Sequence, residues 1–457
     1  MPEPTAPPVD APAPARAGSP PHRRRGLLAV AAGIALLATT AVAVLPDDGR
    51  TASPPATATP TEPSTADPLT DAIAAAQERL RTVPEDAATW AELGSAYVEQ
   101  ARVTADPSYY ALADGALAES VRLNDTDNVT ALAGLGALAN ARHEFSDGAA
   151  NARAALALDP ASATAFGVLA DALVQLGDYP GATAAVQGML DLQPGLSSFT
   201  RASYDLELRG LTDQARGVLE RALESSASPA DTAFCRTYLG QLAFSQGDLD
   251  TAEREYTAGL AVAPDEPGLL AGSARVAAAR GQDERAVELM ARVVQVRPLP
   301  EYLAEHGELL ESLGRTTEAE AQYALFDTAE RLFTANGVRD SLTAALLAAN
   351  RGRGDEAVAL AEAERAQRQN IDSADALGWA LHVAGRDAEA LPLVREATAL
   401  GTRNASFLFH RGMVEAALGL DTEARASLSA AVSINPGFSP LQAPVAQQAL
   451  ADLGGPL

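Results

Sequence analysis

Leu176-Gly177-Asp178-Tyr179-Pro180-Gly181-Ala182 is the stretch on which the fold turns. A glycine able to take the left-handed conformation ends one helix. An aspartate caps the next, and an alanine at the crossing lets the two pack closely. The Gly-x-x-x-x-Ala spacing of Gly177/Ala182 returns at Gly210/Ala215, Gly247/Ala252, Gly281/Ala286, Gly314/Ala319, Gly352/Ala357, Gly385/Ala390 and Gly419/Ala424. The steps between copies are 33, 37, 34, 33, 38, 33 and 34 residues. Prolines keep the same step, 34 residues from Pro160 to Pro194 and from Pro264 to Pro298. Proline ends a helix because it lacks the N–H that would continue one. Eight copies in register predict helical hairpins stacked in a row.

The composition agrees. Alanine, the best helix former, dominates a 457-residue chain that is 47% hydrophobic and only 5% aromatic. Every one of the 34 basic residues is arginine, and 60 acids leave a net charge of -26. Residues 51–457 carry 29 arginines against 56 acids, so the charge belongs to the repeats. Such a surface repels phosphate backbones and excludes nucleic acid as a partner. Its simplest use is solubility; as a recognition field it favours a basic partner. One cysteine, Cys235, excludes an internal disulfide and a cysteine-rich zinc site. Arginine-only, alanine-rich usage hints at a bacterial source.

Ahead of the repeats, residues 1–26 are rich in proline and alanine and end in Arg23, Arg24 and Arg25. An uncharged run of 19 residues, Leu27 to Leu45, follows. As a helix it would span about 28 Å, close to the ~30 Å of a hydrocarbon core. Residues 27–45 thus read as a transmembrane helix or signal anchor, with a cytoplasmic N-terminus and the repeats on the far side. Two alternatives compete: cleavage after Ala41-Val42-Ala43 would release a secreted product, and Arg24-Arg25 loosely fits a twin-arginine signal. Residues 46–68, with six prolines among Ser, Thr and Ala, read as a disordered tether.

Trp90, Leu93-Gly94 and Tyr97 form a W-x2-L-G-x2-Y opening, and Leu-Gly pairs return at Leu135-Gly136, Leu239-Gly240 and Leu377-Gly378. With Leu158-Asp159-Pro160 as a unit ending, the chain resembles the tetratricopeptide repeat family over roughly residues 70–440. The resemblance implies an all-α, right-handed solenoid of about ten helix-turn-helix units over 69–440, closed by a capping helix and tail at 441–457. It also implies a non-catalytic scaffold that binds a protein or peptide in its concave groove, assembling or regulating a complex of the cell envelope. An accessory subunit presenting substrate to a separate envelope enzyme is the alternative. Small residues should sit at the helix crossings, among them Gly94, Gly136, Gly240, Gly307, Gly378 and Gly412. His143 stands where unit 2 should have its turn glycine, Arg411 replaces an expected leucine, and long joints are expected at Ser225–Pro229 and Ala329–Asn336.

Catalytic signatures are missing. Gly134 to Ala139 and Gly352 to Ala357 match a G-x-G-x-x-A string, but no strand precedes either. His22, His143, His306, His382 and His410 show neither i, i+4 ligand pairs nor an HExxH motif. No G-x-S-x-G elbow is present, and Asp125 and Asp127 lack the rest of a calcium loop. No cofactor or metal is expected. The family's groove positions, carried onto this sequence, give Tyr204, Phe234, Gln241, Phe244, Asp375, Trp379, His382, Phe409 and Met413 as the candidate peptide groove. Trp379, His382, Phe409 and Met413, on adjacent units, would be its anchor; the bland alternative packs Trp379 and Phe409 between units as core.

Overall fold

The computed structural model describes residues 68–456, so the expected segments 1–26, 27–45 and 46–68, with Ala43 and His22, lie outside it up to Asp67. Among the described residues there are 22 helices and no strand. A lead-in helix α1 (Pro68–Thr82) precedes ten hairpins. The first five are α2 (Ala87–Thr104) with α3 (Tyr109–Leu123), α4 (Val129–Ala141) with α5 (Phe145–Leu158), α6 (Ala163–Gln175) with α7 (Tyr179–Leu192), α8 (Leu196–Leu208) with α9 (Thr212–Glu224), and α10 (Pro229–Ser245) with α11 (Leu249–Val262). The rest are α12 (Pro267–Ala279) with α13 (Asp283–Val296), α14 (Pro300–Ser312) with α15 (Thr316–Ala335), α16 (Leu342–Asn350) with α17 (Gly354–Gln367), α18 (Ile371–Val383) with α19 (Asp387–Ala397), and α20 (Ala405–Ala417) with α21 (Asp421–Ile434). Helix α22 (Gln442–Asp452) closes the array. None of these helices is long and apolar enough to cross a membrane.

The repeating chemistry is visible in each hairpin. All eight motif glycines have φ between 69° and 75°, and all eight motif alanines are at most 1% exposed. His143 takes the turn glycine's place with φ 63°. Asp86, Asn128, Ser162, Asp178 and Asp248 each accept a backbone N–H as helix caps. At the crossings the small residues are obligatory: a Cβ on Gly240 would lie 2.4 Å from the Tyr256 ring, and one on Gly307 2.2 Å from Tyr323. The expected joint at Ala329–Asn336 is corrected. Residues 329–335 continue α15, because Ala329 and Phe333 extend its buried face, and the shortening falls instead on the nine-residue α16.

The array does not stay open. It winds until later repeats rest on earlier ones. Gln369 donates its backbone N–H to the Gln175 carbonyl at 2.8 Å, and Asn370 Nδ2 donates to Gln175 Oε1 at 2.9 Å. Asn435 Nδ2 reaches the Phe244 carbonyl at 2.8 Å, and Arg297 Nη2 the Val103 carbonyl at 3.1 Å. These contacts join residues 191 to 195 positions apart, so one superhelical turn takes between five and six repeats of about 34 residues. Apolar packing follows the same seam. Leu299, Phe333 and Val338 join the core of Leu93, Tyr97 and Leu138, and Ile371 and Phe407 join that of Leu173 and Leu208.

Candidate functional site: the inner surface of the superhelix

The first helices of the hairpins line the inside of the winding, and two recesses open there. The smaller lies between α6, α8 and α10, with Tyr204, Phe234, Tyr238 and Gln241 around it and Glu207 and the Arg201–Asp171 pair in its wall. Phe234 and Tyr238 meet edge to face at 4.6 Å between ring centres. Arg201 donates to both oxygens of Asp171, at 2.8 and 2.7 Å, tying α8 to α6. Glu207 has no such partner. Burial, with Asp372 near it, pushes its carboxyl up to about 7.

The larger recess is a cavity of about 600 Å³ bounded by α10, α12, α14, α16, α18, α20 and the segment from Pro436 to Gln447. Three of its acids, Glu301, Glu305 and Glu308, project from one face of α14 at i, i+4 and i+7. Glu305 is paired with Arg275 through two hydrogen bonds of 2.6 and 2.7 Å. Glu308 accepts only a neutral amide hydrogen bond, from Asn350 Nδ2 at 2.7 Å. Burial raises Glu301 to about 8 and Glu308 to about 7, with Glu305 adding repulsion to both. On the opposite wall Asp375 receives a hydrogen bond from His410 Nδ1 at 2.8 Å, and Gln442 Nε2 stands 3.2 Å from His410 Nε2. Asn350 Oδ1 closes the circuit by accepting from both Gln442 Nε2 and Trp379 Nε1, each at 2.9 Å.

The sequence-derived groove residues divide accordingly. Tyr204, Phe234 and Gln241 converge on the small recess, and Phe244 and Asp375 line the large one. The expected anchor of Trp379, His382, Phe409 and Met413 is corrected: none of the four lines either recess. Trp379 is 8% and Phe409 1% exposed, and both belong to the core of repeats 8–10. The Trp379 ring stacks on His410 at 4.3 Å, where it covers an aromatic face that would otherwise meet water. His382 also stacks on the Trp379 ring and pairs with Asp387, 2.5 Å away, across the α18–α19 turn. Met413 packs against the same core, half-buried.

Sequence reasoning missed Arg275, Glu305, Asn350, His410 and Gln442. A signal existed: Asp171/Arg201 and Arg275/Glu305 are both 30 residues apart, so each joins first helices of successive repeats. Among the described residues no group of His, Cys, Asp and Glu is placed to hold a metal ion.

Two tetratricopeptide repeat family models match the chain, one over residues 243–305 and the other over 131–197 and 376–437. Over those residues the chain carries tetratricopeptide repeats. Among solved structures it is similar to a tetratricopeptide repeat protein from Parabacteroides merdae, at 20% identity over 56% of this chain and 98% of that one, with a TM-score of 0.34. It is also similar to the Cut9–Hcn1 hetero-tetramer of the APC/C, at 13% identity over 84% and 90% of the two chains and a TM-score of 0.38. A thermophilic tetratricopeptide repeat protein of Thermus thermophilus matches at 21% identity over 40% and 94%, with a TM-score of 0.35. No curated protein matches the sequence.

Proposed function

We propose that this chain is a non-catalytic interaction scaffold that holds a basic segment of a partner protein along the inner surface of its superhelix. The observation behind the proposal is the set of inward carboxyls without a guanidinium partner, Glu207, Glu301 and Glu308, each pushed to about 7 or 8 by burial. Arg275 illustrates the alternative state: where a guanidinium is present, Glu305 takes it in a two-pronged pair. A lysine or arginine of the partner would offer the unpaired acids the same compensation. Tyr204 and Phe234 beside Glu207 supply apolar rings for the stem of such a side chain and a π-face for its charge.

The apolar run Leu27–Leu45 with its preceding arginines supports a scaffold tethered to a membrane, its repeats outside, where it would assemble or regulate an envelope complex. Cross-linking in intact cells followed by purification of the full-length chain tests the scaffold. A specific protein should be captured, and the double change Tyr204→Ala, Phe234→Ala should reduce the yield captured per folded molecule, the folded fraction being followed by circular dichroism. Undiminished capture by the double variant, or none by the parent chain, defeats the reading. Protease added outside whole cells tests the tether: the repeats should be digested while the N-terminus stays protected in the membrane fraction.

A further inference from the structure

The 600 Å³ cavity is a ligand-sized space whose polar wall is one-sided. Five carboxyls, those of Asp283, Glu301, Glu305, Glu308 and Asp375, line it with one guanidinium, that of Arg275, which is paired with Glu305. Two of the remaining acids carry an oxygen with no hydrogen-bond partner among the described residues: Oε2 of Glu301 and Oδ1 of Asp375. Asp375 is only 2% exposed, and its other oxygen is held by His410. A buried carboxylate oxygen left unmatched in an otherwise satisfied network costs of order 1–3 kcal/mol or more, which a bound donor would relieve.

The rest of the wall says which donor. The acids are spread over α13, α14 and α18, and no cluster among the described residues closes tightly enough to hold a metal ion. Between them stand apolar side chains, Phe244, Leu346, Leu309 and Phe438. A charged head on an apolar stem matches both features; a bare inorganic cation matches only one. The stretch Pro436-Gly437-Phe438-Ser439-Pro440 roofs the cavity, and Gln442 at the start of α22 links that roof through Asn350 to Glu308 and through His410 to Asp375. Acids on opposite walls therefore sit on one continuous hydrogen-bond chain, held in place before any ligand arrives.

We infer that this cavity is a binding site for an organic cation, an alkyl-guanidinium or alkyl-ammonium, whose head is received by Glu301, Glu308 and Asp375 and whose stem lies against Phe244 and Phe438. The inference deepens the scaffold reading if the cation is a side chain of the partner, and stands without it if the cation is a free amine.

Calorimetric titration of the full-length chain with agmatine tests the site, alongside the peptide acetyl-Gly-Gly-Arg-Gly-Gly-amide. Saturable binding of agmatine is expected. Glu301→Gln and Glu308→Gln should each weaken it by about tenfold, in keeping with the loss of one charge-assisted hydrogen bond. Neither change should lower the unfolding temperature, because each replaces a carboxyl by an amide of the same shape. Tighter binding of the peptide than of agmatine supports the site and assigns the cation to a protein chain; tighter binding of agmatine supports it and assigns a free small molecule. Absence of binding by both probes at millimolar concentration to the parent chain overturns the inference, whatever the variants do. So does binding that neither substitution weakens. A failed titration leaves cross-linked capture of a partner intact as a result, and failed capture leaves the titration intact.

Discussion

The phenol oxygen of Tyr179 accepts the backbone N–H of Ile371 at 2.8 Å, across 192 residues of intervening chain. One residue belongs to the first turn of the superhelix and the other to the second. Beside them Gly177 presses its α-carbon against the Gln369 carbonyl so closely that an added Cβ would lie 2.3 Å from that oxygen. Removing the acceptor by Tyr179→Phe strands the Ile371 N–H and should cost about 1–3 kcal/mol. Urea unfolding at neutral pH measures it.

Two glycines with nearly the same φ separate the cost of the left-handed backbone from the cost of the seam. Gly177 has φ 75° and the Gln369 carbonyl against it; Gly314 has φ 71°, and a methyl group added there would meet nothing within 4 Å. Gly314→Ala should cost about 1–2 kcal/mol, the strain of a left-handed alanine. Gly177→Ala should cost distinctly more and should enlarge the radius of gyration by small-angle scattering, because the two turns must part. Equal losses in the two variants would show that the seam carries no load.

Arg368, 1% exposed, is the most buried charge on that seam. It lies 3.1 Å from Glu364, donates to His143 Nδ1 at 3.0 Å and stacks over Phe145. Burial holds His143 down to about 4, so it stays neutral and can accept the arginine's hydrogen bond at physiological pH. Arg368→Ala leaves Glu364 buried without its counter-charge and should cost about 3–5 kcal/mol. Denaturant unfolding of the variant checks this.

Stability should fall as pH rises from about 5 to about 8.5. Glu207, Glu308 and Glu301 keep their protons in the folded chain up to about 7, 7 and 8, where an unfolded glutamate, ordinarily near 4.5, has already lost them. The native state therefore binds more protons than the unfolded state throughout that window, and deprotonation favours unfolding. The groups facing Glu301 and Glu308 are Asp340, Glu305, Glu311, Arg275 and Asn350, of which only Arg275 is cationic. His143 works in the opposite sense, but only below its ordinary 6.5. Thermal unfolding at a series of pH values should show a midpoint several degrees lower at pH 8.5 than at pH 5.5; a rising midpoint refutes this account of the inner carboxyls.

Trp379→Ala should unfold the C-terminal repeats instead of selectively weakening a docking surface. Loss of a buried indole costs about 3–5 kcal/mol, and its Nε1–H also satisfies Asn350. Trp379→Phe should cost about 1–3 kcal/mol and remove the blue-shifted part of the tryptophan emission, leaving that of the half-buried Trp90.

The hairpins were legible because each needs the same three things at the same spacing: a left-handed turn, a small crossing residue and a stop. Gly177, Ala182 and Pro194 state them in one unit, and the count of ten follows from their recurrence. Of the nine groove positions read from the sequence, five, Tyr204, Phe234, Gln241, Phe244 and Asp375, line the two recesses. Trp379 and Phe409 follow the alternative reading and pack as core: the Trp379 ring lies on His410 of the next repeat, and the Phe409 ring meets Trp379 and Phe438. The superhelical seam was invisible. Its pairs, such as Gln175 with Asn370, have no local pattern, and their separation depends on the pitch accumulated over several repeats.

That seam limits how the molecule can change length. Arrays of stacked hairpins ordinarily gain or lose a unit at little cost, because each unit meets only its two neighbours. Here, deleting one hairpin between Tyr179 and Ile371 would bring every downstream loop to the wrong place by about 34 residues, with Gly210 no longer opposite Gly401 nor Gly247 opposite Ile434. Insertions are tolerable in loops pointing outward or past α22, but the length of chain that makes one turn is fixed.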